Sequence, residues 1–205
     1  MHSVLEILEE ATDSAGPDLV LLADLKLALG IEGTAEDEQL QAMITFQSRI
    51  IAEYCDRRFG LAEALETFTF DRGEVMPNRG ALTLSLYPVL EVYEVSDMGA
   101  TAGGWEFDPA TGRLWSDGCW SGAVAVTYAG GYDLPEQAPA RLQKAVIEAI
   151  HEGRTVGSRD PSIREVQHGD TRISYFTSST SSASPGYLSA PVVDLIRPYR
   201  RLHVA

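Results

Sequence analysis

Between Thr34 and Phe59 the chain carries Leu40, Met43, Ile44, Ile50, Ile51 and Tyr54, recurring at steps of three, four and seven. That spacing lays one apolar stripe along a helix of about six turns. Thr34, with Asp37 three residues later, is expected to form a capping box and to set a carboxylate at the positive end of the helix. Arg57 and Arg58 are expected to close its last turn and Gly60 to stop it. A helix of this length cannot hide its stripe alone, so the rest of the chain or a neighbouring copy must cover it.

The remainder offers enough material for that. The chain has 205 residues, 44% of them hydrophobic, which suits one domain with tails or two small ones. The most apolar window, Val20–Ile31, is interrupted by Asp24 and Lys26, which excludes a transmembrane helix. The start is acidic (Glu6, Glu9, Glu10, Asp13) and lacks the basic-then-apolar order of a signal peptide. Cys55 and Cys119 share no motif, so a reduced intracellular protein is the simplest expectation, with a disulfide the alternative.

Charge is unevenly spread. Sixteen Lys and Arg oppose thirty Asp and Glu, a net of −14. Residues 1–137 carry 7 basic and 24 acidic side chains, a net of −17; residues 138–205 carry 9 and 6, a net of +3. Duplex DNA is gripped through its phosphates by Lys and Arg, so so acidic a body should repel it. The polarity means either that the two ends face different surroundings or simply that a soluble protein has a basic tail.

Taken in order, residues 1–18 place Val4, Leu5, Leu8 and Ala11 at helical spacing and are expected to form a short amphipathic arm. Asp18 should cap a helix over Leu21–Leu29 with a stripe of Leu22, Leu25 and Leu29. After Gly60 the period changes to two. Thr67–Phe70, Leu82–Leu86, Val89–Val95, Trp105–Phe107, Arg113–Trp115 and Val124–Tyr128 are expected strands. Asp108–Gly112 joins two of them as a hairpin. A third helix is expected over Ala140–Glu152, ended by Gly153, with residues 154–162 as a loop. Ile163–Gln167 and Thr171–Phe176 flank His168-Gly169-Asp170 as a second hairpin, and Thr177–Gly186 is a Ser/Thr/Ala linker. Pro191–Leu202 joins Val192, Val193, Leu195 and Ile196 to Arg197, Arg200 and Arg201; it is either a docking tail or a helix closing on the protein's own core. The fold class is therefore α+β: a helical hairpin plus a third helix, packed with an inserted antiparallel sheet or small sandwich, a late β-hairpin and a C-terminal tail.

Little in this pattern carries chemistry. No phosphate-binding glycine loop and no dinucleotide fingerprint is present. None of the four histidines has a partner at metal-ligand spacing, and no cofactor or metal is expected. Asp71 with Glu74 has the composition of an acid/base pair but reads as a solvated loop, and His168 with Asp170 reads as a turn. Trp105, Trp115 and Trp120 are more readily sheet packing than a sugar-stacking platform. The serines of 178–184 have neither a base nor an oxyanion-hole context beside them.

Several stretches, in the same order, resemble the head–tail connector (adaptor) proteins of long-tailed phages and gene transfer agents. They are "LADLKLALGI", "EDEQLQAMITFQSRIIAEYCDRRF", "YPVLEVYEV", "VTYAGGYDLPEQAPARLQKAVIEAIHEGR", "VQHGDTRISYF" and "LIRPYRR", together about residues 20–202. Where that family often has Glu-Asn-Arg-Glu after the third helix, this chain has Glu152-Gly153-Arg154-Thr155. The resemblance implies a non-enzymatic virion protein of the neck, made in the host cytoplasm. Its copies would form a ring, usually of twelve, docked under the portal protein. The ring would extend the DNA channel and receive stopper or tail-terminator proteins, with DNA passing through the lumen without specific binding and no membrane involved. On that view the chain divides into an acidic arm (1–18), a connector core (19–153, with a β insertion at 64–129), a hairpin and linker (154–190) and a portal-docking tail (191–205). Val192, Val193, Leu195, Ile196, Arg197, Tyr199, Arg200 and Arg201 would meet the portal, and Leu40, Ile44, Ile51 and Tyr54 would form a ring interface or the core. The alternative is a ligand- or carbohydrate-binding β-sandwich module with helical flanks.

Overall fold

The computed structural model describes residues 2–10, 18–71, 73, 75–76, 80–157, 165–168, 171–174 and 188–201. The chain divides into two compact units, one of residues 1–18 and 56–138, the other of residues 19–55 and 139–205.

The first unit is all β. Its strands are β1 (His2–Glu10), β2 (Ala62–Thr69), β3 (Val75–Met76), β4 (Ala81–Thr83), β5 (Val89–Asp97), β6 (Ala100–Thr101), β7 (Trp105–Asp108), β8 (Arg113–Ser116), β9 (Trp120–Ser121) and β10 (Ala123–Gly130). A five-stranded antiparallel sheet runs in the order β1-β2-β10-β5-β6; β4-β8-β7 form a three-stranded sheet and β3 pairs with β9. Period-two burial makes this core. Along β2, Ala62, Ala64, Glu66 and Phe68 point inward while Glu63, Leu65, Thr67 and Thr69 alternate outward. Val124, Val126 and Tyr128 do the same on β10, and Leu82, Leu84, Leu86, Leu114 and Trp120 meet them.

The amphipathic helix expected over residues 1–18 is instead a strand over residues 2–10, paired to β2 from His2↔Thr69 to Glu10↔Ala62. Leu5 and Ile7 pack toward the core, and Val4 and Leu8 face out. A short apolar run such as Val-Leu-Glu-Ile-Leu satisfies either period, and the long-range partner decides. Residues 11–17, including Ala11 of that expectation, lie outside the described residues.

One glutamate breaks the apolar pattern of β2. Glu66 is fully buried, and its carboxylate accepts from the Ser85 N–H at 2.8 Å, the Ser85 hydroxyl at 2.6 Å and the Tyr128 hydroxyl at 2.9 Å. The Tyr128 hydroxyl in turn accepts from the Leu86 N–H at 3.1 Å. Residues 84–88 leave the strand here, so their amides need partners other than a ladder, and this network supplies them. Tyr87 in that bend lies under Arg57, whose guanidinium carbon sits 3.3 Å from the ring centroid, with Phe59 and Tyr132 nearby at 5.0 and 6.0 Å. Gly131 turns the chain after β10 at φ 109°, where a Cβ would strike the Gly60 carbonyl.

The second unit holds α1 (Leu22–Leu29), α2 (Asp37–Cys55), α3 (Ala140–Gly157), the strands β11 (Glu165–His168) and β12 (Thr171–Ser174), and α4 (Ala190–Ile196), which runs on into one 3-10 turn, Arg197–Tyr199. Leu40, Ile44, Ser48, Ile51 and Cys55 form the buried stripe of α2, and α1 and α3 pack with that helix. Leu25 of α1, Leu142, Ala145, Val146 and Ile150 of α3, and Val192 and Ile196 of α4 are buried with them. Lys26 Nζ bonds the Asp37 carboxylate at 2.6 Å and also the Gly33 carbonyl, tying α1 to the start of α2.

Three helix-end expectations differ from what is observed and one is met. Asp18 does not cap α1; the preceding residue is Leu21, and no side chain caps that end. As expected, Asp37 sets a carboxylate in the first turn of α2; that carboxylate also bonds Lys26, and the Asp37 N–H bonds the Thr34 carbonyl at 3.3 Å. Helix α2 ends at Cys55, because Asp56 takes a left-handed conformation (φ 49°) ahead of Arg57, Arg58 and Gly60. Helix α3 runs through Gly153 to Gly157, so residues 154–157 of the expected loop are helical, and 158–162 lie outside the described residues; an interior glycine costs a helix only about 1 kcal/mol. The late hairpin forms in register from Glu165↔Ser174 to His168↔Thr171.

Tyr128 supplies a test of the buried network. Burial first, and then the Glu66 charge, push its hydroxyl well above the ordinary tyrosine value. The unfolded chain therefore ionises this group near pH 10 while the folded chain keeps the proton. Its contribution to stability is complete below about pH 10 and is lost as pH rises beyond it, at about 1.4 kcal/mol per pH unit. Urea midpoints measured from pH 8 to 11 should fall less steeply for Tyr128→Phe than for the parent chain. Glu66→Gln, which sets a donor against donors, should cost about 1–3 kcal/mol at neutral pH.

Candidate functional site

Among the described residues no group of three or more His, Cys, Asp or Glu side chains could hold a metal ion. Asp71 is exposed after β2, and Glu74 lies outside the described residues. His168 ends β11, and Asp170 lies outside the described residues. Asp108 is held below the usual carboxylate range by the Thr111 hydroxyl and then the Ala110 amide, the bonds of a tight turn. On the surface of the five-stranded sheet, the Tyr93 hydroxyl donates to Glu63 at 3.0 Å and is raised by that bond. Trp120 is buried with its indole N–H on the Gly80 carbonyl at 3.1 Å, and Trp115 donates to Glu106 at 3.2 Å. Both indoles are thus occupied in sheet packing. The two cysteines form no disulfide with each other; Cys55 is buried and Cys119 exposed.

What stands out instead are surfaces. The first unit carries 5 basic and 18 acidic side chains, a net of −13; the second carries 11 and 12, a net of −1. The excess negative charge thus belongs to the β unit, and the helical unit is close to neutral.

The basic C-terminal segment is helix α4, packed on α3, with Val192 and Ile196 fully buried and Val193 and Leu195 half-buried. The segment thus packs on the protein's own core, as the closing-helix expectation has it. The Ser189 hydroxyl bonds Glu152 of α3 at 2.9 Å. Beyond α4 the segment reaches the end of α2. The Arg201 N–H donates to the Cys55 carbonyl at 2.9 Å, and the Cys55 thiol donates to the Ile196 carbonyl at 3.8 Å. Arg200 lies over the Tyr54 ring at 5.5 Å. A helix leaves its last carbonyls unpaired and its C-terminal end negative, and here the returning tail supplies both an amide and a cation. Arg57 and Arg58 were expected in that role. Arg57 stacks on the aromatic rings of its own unit and Arg58 pairs with Glu10.

Leu40, Ile44 and Ile51 are fully buried inside their unit, and Tyr54 is half-buried beneath Arg200. Arg197 and Arg200 are exposed, while Tyr199 and Arg201 are half-buried. The structure brings Tyr54, Ile196, Arg200 and Arg201 together at one end of α2. Sequence periodicity misses this constellation because its two halves are more than a hundred residues apart.

No protein-family profile matches the sequence, and no curated protein matches it significantly. Solved structures do match in fold. A chain in the neck of the empty gene transfer agent particle, computed with C6 symmetry, is 17% identical with a TM-score of 0.54, over 98% of this chain and 97% of that one. A chain in the neck of the native particle, computed with C12 symmetry, is 19% identical with a TM-score of 0.51 over the same shares. A chain in the virion of the native particle is 17% identical with a TM-score of 0.52, again over 98% and 97%. The fold, through both units, is that of these chains.

The seat of the tail is testable. Ile196→Ala removes a fully buried side chain and should destabilise the helical unit by about 2–5 kcal/mol, read by urea denaturation. It should also speed proteolysis within residues 188–201. Exposed Arg197→Ala should stay within about 0.5 kcal/mol of the parent.

Proposed function

We propose that this protein is a non-enzymatic structural component of a virion neck. It acts as a head–tail adaptor whose copies form a ring, as a dodecamer, beneath the portal protein. The ring extends the DNA channel and receives stopper or tail-terminator proteins on its far side. The observation that carries this reading is the fold likeness, which spans 98% of this chain and 97% of neck chains from particles computed with C6 and C12 symmetry.

The charge distribution fits the role. DNA driven through a channel must not stick to the wall, and a β unit with a net of −13 offers phosphates nothing to hold. The near-neutral helical unit is free to bind protein. Within it the cationic end, Arg197, Arg200 and Arg201 with Tyr199, suits carboxylates on a portal. Val192 and Ile196 hold α4 to α3, so the docked surface is the arginine edge together with the half-buried Val193 and Leu195. These contacts require no chemistry of the chain beyond shape and charge.

The test is binding to the portal protein encoded with this chain. Arg197→Glu combined with Arg200→Glu should weaken binding by roughly tenfold or more at moderate salt, and Arg197→Glu alone, at an exposed position outside the α2 cap, should weaken it in part without lowering the melting temperature. Removal of residues 191–205 should abolish it. Unchanged affinity in both variants, or particles that assemble and infect normally without the chain, would refute the role.

A further inference from the structure

Helix α1 reads Leu-Ala-Asp-Leu-Lys-Leu-Ala-Leu, apolar around almost its whole circumference, yet only Leu25 is buried. Leu27 is 83% exposed, and Ala23, Asp24 and Ala28 stand with it on the outward side. A helix apolar all round belongs inside a core, not half in water. Helix α2 has a second face of this kind. Opposite its buried stripe, Ala42, Thr45 and Phe46 form a shallow, open patch on α2 between Glu38 and Arg49, with Gln41 beside them, and Phe46 is 61% exposed.

We infer that the outward face of α1 on one copy packs against this open face of α2 on the next copy. The inference rests on the ring reading above and names the contact that builds it. Three observations select a second copy of this chain as the occupant. The two faces differ, as a closed ring of head-to-tail contacts requires. One charge pair fixes the direction of the contact: α1 carries the acid Asp24, and it can meet Arg49 at one end of the α2 face while lying away from Glu38 at the other. The chains of like fold come from necks computed with rotational symmetry. Leu27 then packs beside Phe46, and the alanines of α1 allow close approach. The stripe of Leu40, Ile44 and Ile51 has no part in it, since it is consumed within the subunit.

The purified full-length chain is followed by sedimentation velocity over a concentration series. Leu27→Asp and Phe46→Asp should each weaken self-association by roughly tenfold or more while leaving the melting temperature unchanged, since both side chains are exposed. An equimolar mixture of the two should stop at dimers, because each variant retains the face that the other has lost. Asp24→Arg and Arg49→Asp should each weaken association, and both in one chain should restore it. Self-association of either Asp variant at parental strength overturns the inference, as does a mixture that forms no dimers. If the parent chain is monomeric throughout, the readout is disulfide formation in assembled particles between Leu27→Cys and Phe46→Cys in a Cys119→Ser background, and no cross-link overturns it. Rings that persist in both Asp variants would sink this contact and leave the neck role standing. A chain missing from particles, whose solution oligomers are still broken by these substitutions, would sink the neck role and leave the contact.

Discussion

Burying the α2 stripe is the constraint on which the helical unit depends. Leu40, Ile44 and Ile51 cannot remain in water, and the chain returns from far along its length to cover them and to finish the helix. The Arg201 amide on the Cys55 carbonyl and Arg200 over Tyr54 turn the C-terminal segment into the cap that α2 does not supply for itself. A segment used in this way is both structural and available. Its buried residues hold it in place, and its exposed arginine edge is displayed at a fixed position.

The β unit solves a different problem. Its two larger sheets share a core, but the connection through residues 84–88 departs from strand geometry and leaves amides to satisfy. A buried carboxylate with a tyrosine and a serine does so. Such a network specifies one arrangement of the bend, because any other leaves Glu66 desolvated without its donors. The sheet surface can then stay acidic without endangering the interior. The negative β unit and the nearly neutral helical one differ in charge in the way the proposed neck role would use.

Much of this was legible in the sequence where the signal is local and periodic. The stripe of α2, the alternation of Val124, Val126 and Tyr128, and the Asp108–Gly112 hairpin all follow from spacing alone. The misses have a common cause in long-range contacts. Residues 2–10 became a strand because β2 offered an edge, and the Arg57-Arg58 pair lost its capping role to arginines more than a hundred residues away. Glu66 reads as one more acid in an acidic chain; only the fold shows three donors converging on it. The candidate docking surface was readable as a composition, apolar then basic, but its seating on α3 and α2 was not. Exposure of Leu27 and Phe46 is likewise invisible to periodicity, which marks both as apolar and says nothing of what covers them.

The most direct measurement is a symmetric reconstruction of the neck of the particle whose genes include this chain. The account predicts one ring of this protein at the head–tail junction, with the Arg197–Arg201 edge against the portal and the acidic β unit bordering the DNA path. A neck without the chain, or a ring whose portal-facing surface is the acidic β unit, would contradict it.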